Sequence, residues 1–218
     1  GVGNTRYGKL PGRSSYSLNL EAIKNALDDA GLTVKDVDGV LCKYPTSNFE
    51  SLFAAKIAQQ LGIYPKVIAT IDQAGASNIG LIMYAAMAIE AGMCETVVCS
   101  YGDNPLTRSR AAYGRPRSEG APYGMFGTPS GYALIAQRHM YEYGTTSEQL
   151  GAIAVACRKH AALNPNAQFR EEMTIEAHQN SRMVADPLRL FDCCPITDGG
   201  AAVVVTSAER AKSLKKKP

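Results

Sequence analysis

Ser77-Asn78-Ile79-Gly80-Leu81-Ile82-Met83-Tyr84-Ala85-Ala86-Met87-Ala88-Ile89-Glu90-Ala91 is the stretch on which the fold turns. Its apolar residues Ile79, Leu81, Ile82, Met83, Ala85, Ala86, Met87, Ala88 and Ile89 fall on nearly every face of a helix, and a helix that is apolar all round is a buried one. Gly92 comes next as its stop. Two short apolar runs flank it, Val67 to Ile71 before and Thr96-Val97-Val98-Cys99-Ser100 after, and both read as buried strands. A crossover helix between parallel strands lies on a sheet face. One that is apolar on its outer side as well needs a second sheet layer, a partner domain or a subunit to cover it.

The same alternation extends outward. Tyr16 to Ala30 carries Leu20, Ile23, Ala26, Leu27 and Ala30 at helical spacing and stops at Gly31. Gly39-Val40-Leu41-Cys42 reads as a strand, and Phe49 to Leu61 as a helix stopped by Gly62. Residues 103–129 hold Pro105, Pro116, Pro122 and Pro129 with several glycines, and predict a long functional or mobile loop. Beyond it, Ser130 to Tyr143 predicts a helix ended by Gly144. Thr145-Thr146-Ser147-Glu148 reads as a capping box with Glu148 at the third position, opening a helix to about Leu163. Thr174 to Asn180 predicts a shorter helix, Ala201 to Thr206 a buried strand, and Ser207 a cap for the segment after it. Short strands alternating with helices predict an α/β layered fold.

Composition narrows the function. The 218 residues are 45% hydrophobic, enough for one large or two small domains, and a formal charge of +3 argues against a dedicated nucleic-acid binder. No apolar run approaches the roughly 18–20 residues of a membrane span and no signal segment opens the chain, so a cytoplasmic protein working away from membranes is expected. Cys42, Cys94, Cys99 and Cys157 sit singly in apolar surroundings, as buried free thiols do. Cys193 and Cys194 are adjacent and lack the spacer of a zinc knuckle, so no metal site is expected. Gly1-Val2-Gly3 is no dinucleotide fingerprint, since the later glycine and the directly adjoining helix are missing. The opening at Gly1 and the close on Lys215-Lys216-Lys217-Pro218 read as cuts in a longer protein.

Several stretches then carry a resemblance. They are Gly1-Val2-Gly3-Asn4-Thr5-Arg6-Tyr7-Gly8, Ala85-Ala86-Met87-Ala88-Ile89-Glu90-Ala91-Gly92, His139-Met140-Tyr141-Glu142-Tyr143-Gly144-Thr145, His160-Ala161-Ala162-Leu163-Asn164-Pro165 and Ala185-Asp186-Pro187-Leu188. The most specific is Cys193-Cys194-Pro195-Ile196-Thr197-Asp198-Gly199-Gly200-Ala201-Ala202. In this order they resemble the thiolase superfamily, and within it the sterol-carrier-protein-x-type thiolases and their bacterial lipid-transfer relatives. The resemblance spans the whole chain but only the first half of that family's plan. It implies a βαβαβαββ half formed by residues 1–102 and 196–218, an inserted loop subdomain at 103–195, and an absent C-terminal half.

The resemblance also implies chemistry. The family sets a nucleophilic cysteine at the N-terminus of the buried helix, where the helix dipole favours the thiolate. Counting back from Ile89 puts glycine there: Gly75, within Asp72-Gln73-Ala74-Gly75-Ala76-Ser77-Asn78. Asn78 stands where the family pattern has glycine. Gly75 has no side chain to acylate, which argues against two-step thiolysis. Ser77 is either a weak replacement nucleophile or a helix cap. The first expectation is therefore an acyltransferase-like thiolase-family protein acting on coenzyme A thioesters, with no covalently bound cofactor and acyl-CoA as substrate. The alternatives are a retro-aldolase on β-hydroxyacyl-CoA, working with an OB-fold zinc-ribbon partner protein as some lipid-transfer relatives do, and a non-catalytic scaffold subunit. A homodimer is expected, with Val97 to Ser100 near its interface.

Other candidate residues keep two readings. Arg108, Arg110, Arg115 and Arg117 are either a solvated loop or contacts to coenzyme A phosphates or a partner, since guanidinium forks suit phosphate oxygens. Tyr123-Gly124-Met125-Phe126 resembles the family segment lining the acyl pocket. His139 and His160 either face the substrate or pack on their helices, and His178 falls in a polar segment.

Overall fold

Gly39–Cys42 and Val67–Thr70 are short, apolar and each succeeded by a helix that returns the chain, so they and Thr96–Asp103 align side by side and parallel. The computed structural model describes residues 1–108, 119–214 and 216. Two compact units emerge: Gly1–Ser109 with Thr197–Pro218, and Arg110–Ile196.

The first unit holds β1 (Val2–Asn4), α1 (Ser15–Ala30), β2 (Gly39–Cys42), α2 (Phe53–Leu61), β3 (Val67–Thr70), α3 (Ser77–Glu90) and β4 (Thr96–Asp103). Its last strand is numbered β7 (Gly199–Thr206) because two more strands precede it in the chain, and a short helix, Ala208–Ser213, comes after it. One sheet results, in the order β1-β7-β4-β2-β3. β2 runs parallel to both β3 and β4, while β7 pairs antiparallel with β4 and β1. Residues 103–108 pack with this unit, since β4 runs on to Asp103.

Two cores arise from the period of two along each strand. Val40, Cys42 and Val98 face one side, where α1 presents Ala22, Ile23, Ala26 and Leu27 and α2 presents Phe53, Ala54, Ile57 and Ala58. Leu41, Val97 and Cys99 face the other, under Leu81, Ala85 and Ala88 of α3. Each fully buried Leu, Ile or Phe contributes about 1.5–3 kcal/mol.

α3 buries only one stripe against the sheet. Ser77, Gly80, Leu81, Ala85 and Ala88 are covered. Ile79, Met83 and Met87 on the opposite side are 73%, 52% and 58% exposed. The outer cover that the sequence requires is thus not supplied by the described residues.

Several boundaries differ from the sequence reading. α2 begins at Phe53 rather than Phe49: Leu52 takes a left-handed conformation at φ 58° and Phe49 instead stacks on Tyr44, with ring centroids 5.0 Å apart. β3 is half-exposed rather than buried, because it forms the sheet edge. β4 is paired along both sides, so the sheet's free edges are β1 and β3.

The second unit carries α4 (Gly127–Tyr143), α5 (Ser147–Leu163), α6 (Ile175–Gln179), β5 (Met183–Ala185) and β6 (Leu188–Arg189). Its capping box is one residue later than Glu148 suggests: Gln149 N–H donates to Thr146 Oγ1 at 3.3 Å and Gln149 Oε1 accepts from Thr146 N–H at 3.0 Å. The β5–β6 hairpin has no counterpart in the sequence reading; it turns at a cis Asp186–Pro187 bond. No helix among the described residues is long and apolar enough to cross a membrane.

Candidate active site

β2, β3 and β4 are parallel, so their carboxyl ends lie together, and in such sheets ligands bind beyond those ends. β3 leads there into the turn Ala74–Ala76, a single 3₁₀ turn, and then into α3.

The turn is held from below. Asp72 Oδ1 accepts the Ala74 N–H at 2.9 Å. Ser77 is fully buried; its hydroxyl donates to the Ala74 carbonyl at 2.7 Å and accepts from the Gln73 N–H at 2.8 Å. Ser77 therefore closes the turn ahead of α3. The helix cap is Ala76, which offers no side chain, so the helix-cap reading of Ser77 is corrected. A buried hydroxyl whose proton is already given to a carbonyl makes a poor nucleophile.

Gly75 lies exposed within that turn. A Cβ built on it would meet no atom within 4 Å, and its φ lies outside the left-handed region. The turn therefore has room and a permissive backbone for a side chain that the sequence does not supply. The partial positive charge of the α3 N-terminus is aimed at the same place.

Beside α3, a cleft of about 350 Å³ opens over the sheet. Asn78, Leu81 and Ile82 form one wall, Cys99 to Tyr101 the floor, and Gly199 to Val203 with Tyr7 and Thr197 the far side. Asp198 fixes that far side from behind. It is fully buried, and its carboxylate accepts from the backbone N–H groups of Leu10 at 3.0 Å, Leu106 at 2.7 Å and Thr107 at 3.3 Å. Gly199 allows the Tyr7 ring to approach, since a Cβ there would sit 2.4 Å from Cδ1.

No thiol of the first unit suits nucleophilic work. Burial pushes Cys42 and Cys99 up to about 12, and burial also raises Cys94. Cys157, expected buried, is exposed on α5; Cys194 is exposed and Cys193 half-buried.

The other sequence candidates are spread over both units. Arg108 is exposed and its Nη2 donates to Asn48 Oδ1 at 3.2 Å. Arg110, Arg115 and Arg117 lie outside the described residues. Tyr123, Met125 and Phe126 belong to the second unit and are exposed, Tyr123 almost completely. His139 of α4 is exposed, within 2.9 Å of Thr145 Oγ1 through Nδ1 and tilted over Tyr143. His160 is exposed in the last turn of α5. His178, expected in a polar segment, is instead fully buried: its Nε2 lies 2.7 Å from Asp192 Oδ1, tying α6 to the turn after β6. Among the described residues, no three His, Cys, Asp or Glu side chains converge to hold a metal ion.

Sequence reasoning does not single out Lys43, Asp72 and Tyr101. The available signal was a lysine directly behind the buried strand Gly39–Cys42, at the end of a strand where ligands bind.

Comparison with known proteins sets this site in context. Residues 2–209 match the model of the thiolase N-terminal domain. A steroid side-chain-cleaving aldolase of Thermomonospora curvata is 39% identical over all of this chain and 58% of its own length. The 17-hydroxy-3-oxo-4-pregnene-20-carboxyl-CoA lyase of Mycobacterium tuberculosis is 40% identical over all of this chain and 59% of its own length. The solved structure of the Ltp2-ChsH2(DUF35) aldolase superposes with a TM-score of 0.85 at 40% identity, covering 98% of this chain and 56% of that one. The chain thus spans rather more than half the length of the relatives it matches.

Proposed function

This chain belongs to the thiolase family, and from that premise we propose that the protein acts on coenzyme A thioesters by cleaving a carbon–carbon bond without an acyl-enzyme. The observation that carries the proposal is the unfilled turn at Gly75: open space at the N-terminus of α3, Ser77 buried and engaged, and the neighbouring thiols held protonated by burial.

Retro-aldol cleavage of a β-hydroxyacyl thioester suits such a site. A base takes the β-hydroxyl proton, the Cα–Cβ bond breaks to give a ketone or aldehyde, and the bonding pair passes to the thioester as an enolate. A proton then returns at Cα. None of these steps needs a covalent bond to the protein. The α3 N-terminus supplies favourable potential for the enolate oxygen, and the cleft beside Asn78 and Tyr101 takes the acyl group. The base belongs to the half of the protein beyond this chain. Two relatives are named as an aldolase and a lyase, which agrees with this chemistry.

In the same reading, Arg110–Ile196 is the inserted loop subdomain, its arginines meet coenzyme A phosphates, and an OB-fold zinc-ribbon protein and a second copy complete the assembly. The remainder of the protein covers the bare face of α3.

The test is product analysis with the complete protein and candidate β-hydroxyacyl-CoA substrates. Release of a ketone or aldehyde without free coenzyme A supports the proposal. Cleavage only of the corresponding β-ketoacyl-CoA, with a strict requirement for free coenzyme A, would put thiolysis first, and no turnover of either substrate beside tight partner binding would favour a scaffold.

A further inference from the structure

Lys43 is the least exposed lysine near the site, its side chain 8% accessible. It is placed there by the sheet. The ladder of β2 continues one residue past the strand, with Lys43 N–H donating to the Ser100 carbonyl at 3.1 Å. On the other side Ile71 N–H donates to the Cys42 carbonyl at 2.9 Å. Parallel register therefore brings Lys43 beside the end of β3, next to Asp72.

Three groups receive its ammonium. Asp72 Oδ1 lies 3.6 Å from Nζ, the Tyr44 carbonyl accepts at 3.2 Å, and the Tyr101 ring lies beneath with its centroid 5.0 Å away. The same Oδ1 of Asp72 accepts the Ala74 N–H and stands 3.4 Å from the Ser77 hydroxyl. A short chain of contacts thus runs from a buried cation, through one carboxylate oxygen, to the turn carrying Gly75. That turn needs holding, because Ala74 takes a left-handed φ of 51°. Such a conformation costs a non-glycine residue about 1–3 kcal/mol and persists only when its surroundings fix it. Tyr101 meanwhile lines the cleft, so the cation also braces the cleft floor.

We propose that Lys43 is a positioning residue of this site: it neutralises Asp72 beneath the Ala74–Ala76 turn and so holds Gly75 and the start of α3 where the thioester carbonyl sits. The proposal deepens the carbon–carbon cleavage reading and rests on it for the word thioester. The geometry of the turn stands without that reading.

The test uses the complete protein carrying Gly75→Cys, whose introduced thiol reports on the turn. Alkylation by iodoacetamide is measured against pH, with and without Lys43→Met. Loss of the cation leaves the half-exposed Asp72, three residues before the introduced thiol, without its ion pair, so the thiol titrates higher and the neutral-pH rate falls about tenfold. Lys43→Arg, which keeps the charge, restores the rate to within about threefold. An unchanged pH profile in Lys43→Met overturns the proposal, whatever the melting temperature does. Turnover is measured separately with glycine at position 75. A fall in kcat with KM held in Lys43→Met supports the assignment at the reaction itself. If the alkylation profile moves but no variant cleaves substrate, the positioning role stands and the cleavage reading fails.

Discussion

Substituting Gly75→Cys should give a stable protein with an accessible thiol. Most glycines at tight turns resist substitution because a Cβ collides or φ is positive. Gly75 meets neither obstacle: the added Cβ finds nothing within 4 Å and the residue is exposed. Removing a glycine restricts the unfolded chain and favours folding by about 0.4–1 kcal/mol where the native conformation accepts the new residue. At about 2–4 °C per kcal/mol for a chain of this size, the melting temperature should stay level or rise by up to about 4 °C. Thermal unfolding monitored by circular dichroism measures this, and iodoacetamide labelling with peptide mapping measures the thiol. The introduced thiol sits at the N-terminus of α3, where the helix dipole favours the thiolate. It should label faster than buried Cys42 and Cys99 by at least a hundredfold, the contrast expected between a thiolate-favouring exposed site and thiols at about 12. A drop in melting temperature beyond about 5 °C, or labelling no faster than those two cysteines, would refute the claim that the turn is an unfilled nucleophile position.

Packing and charge dictate three further outcomes. Gly3→Ala should destabilise by about 3 kcal/mol or more in urea denaturation, because its Cβ would lie 2.2 Å from the Ala22 carbonyl oxygen where β1 crosses α1. Met83→Ser, at a side chain 52% exposed within this chain, should cost the complete protein about 1–3 kcal/mol if the rest of the molecule covers α3; an unchanged denaturation midpoint would leave that face in water. Stability should decline as pH climbs from 9 towards about 12, since Cys42 and Cys99 are held neutral by burial when folded but ionise from about 9 when unfolded. Denaturation midpoints at pH 8 and pH 10.5 check the sign, and Cys42→Ala should flatten the dependence.

How much the sequence made legible depends on which forces are local. α1, α3, β2 and β4 were readable because apolar spacing and a closing glycine act within one element: Gly31 takes φ 70° and Gly92 φ 68°, as their positions at helix ends predicted. The start of α2 was not, because Leu52 takes a left-handed conformation and Phe49 stacks on Tyr44, neither of which a helical period records. β5 and β6 are too short for alternation to show. At the site, Gly75 is legible only through the thiolase resemblance, which implies a cysteine at that count back from Ile89 where the sequence has no side chain. Ser77, Lys43 and Asp72 could not be assigned roles in that way. The meeting of Lys43 with Asp72 is set by strand register between β2 and β3, which emerges only when the sheet is assembled, while Ser77 bonds to Gln73 and Ala74 inside a turn that no helical period records. His178 shows the same limit: polar neighbours in sequence conceal a ring buried against Asp192. The bare stripe of Ile79, Met83 and Met87 was half-legible, since its apolarity called for a cover that the described residues do not supply.

The central claim is that the reaction proceeds with no acyl group on the protein. Intact mass spectrometry of the complete protein, with any co-purifying partner, after incubation with a β-hydroxyacyl-CoA and with the corresponding β-ketoacyl-CoA tests it most directly. An unchanged protein mass in both cases, with a ketone or aldehyde released only from the β-hydroxy substrate, is the predicted result. A mass increase equal to the acyl group, mapped to any residue of the site, would contradict it.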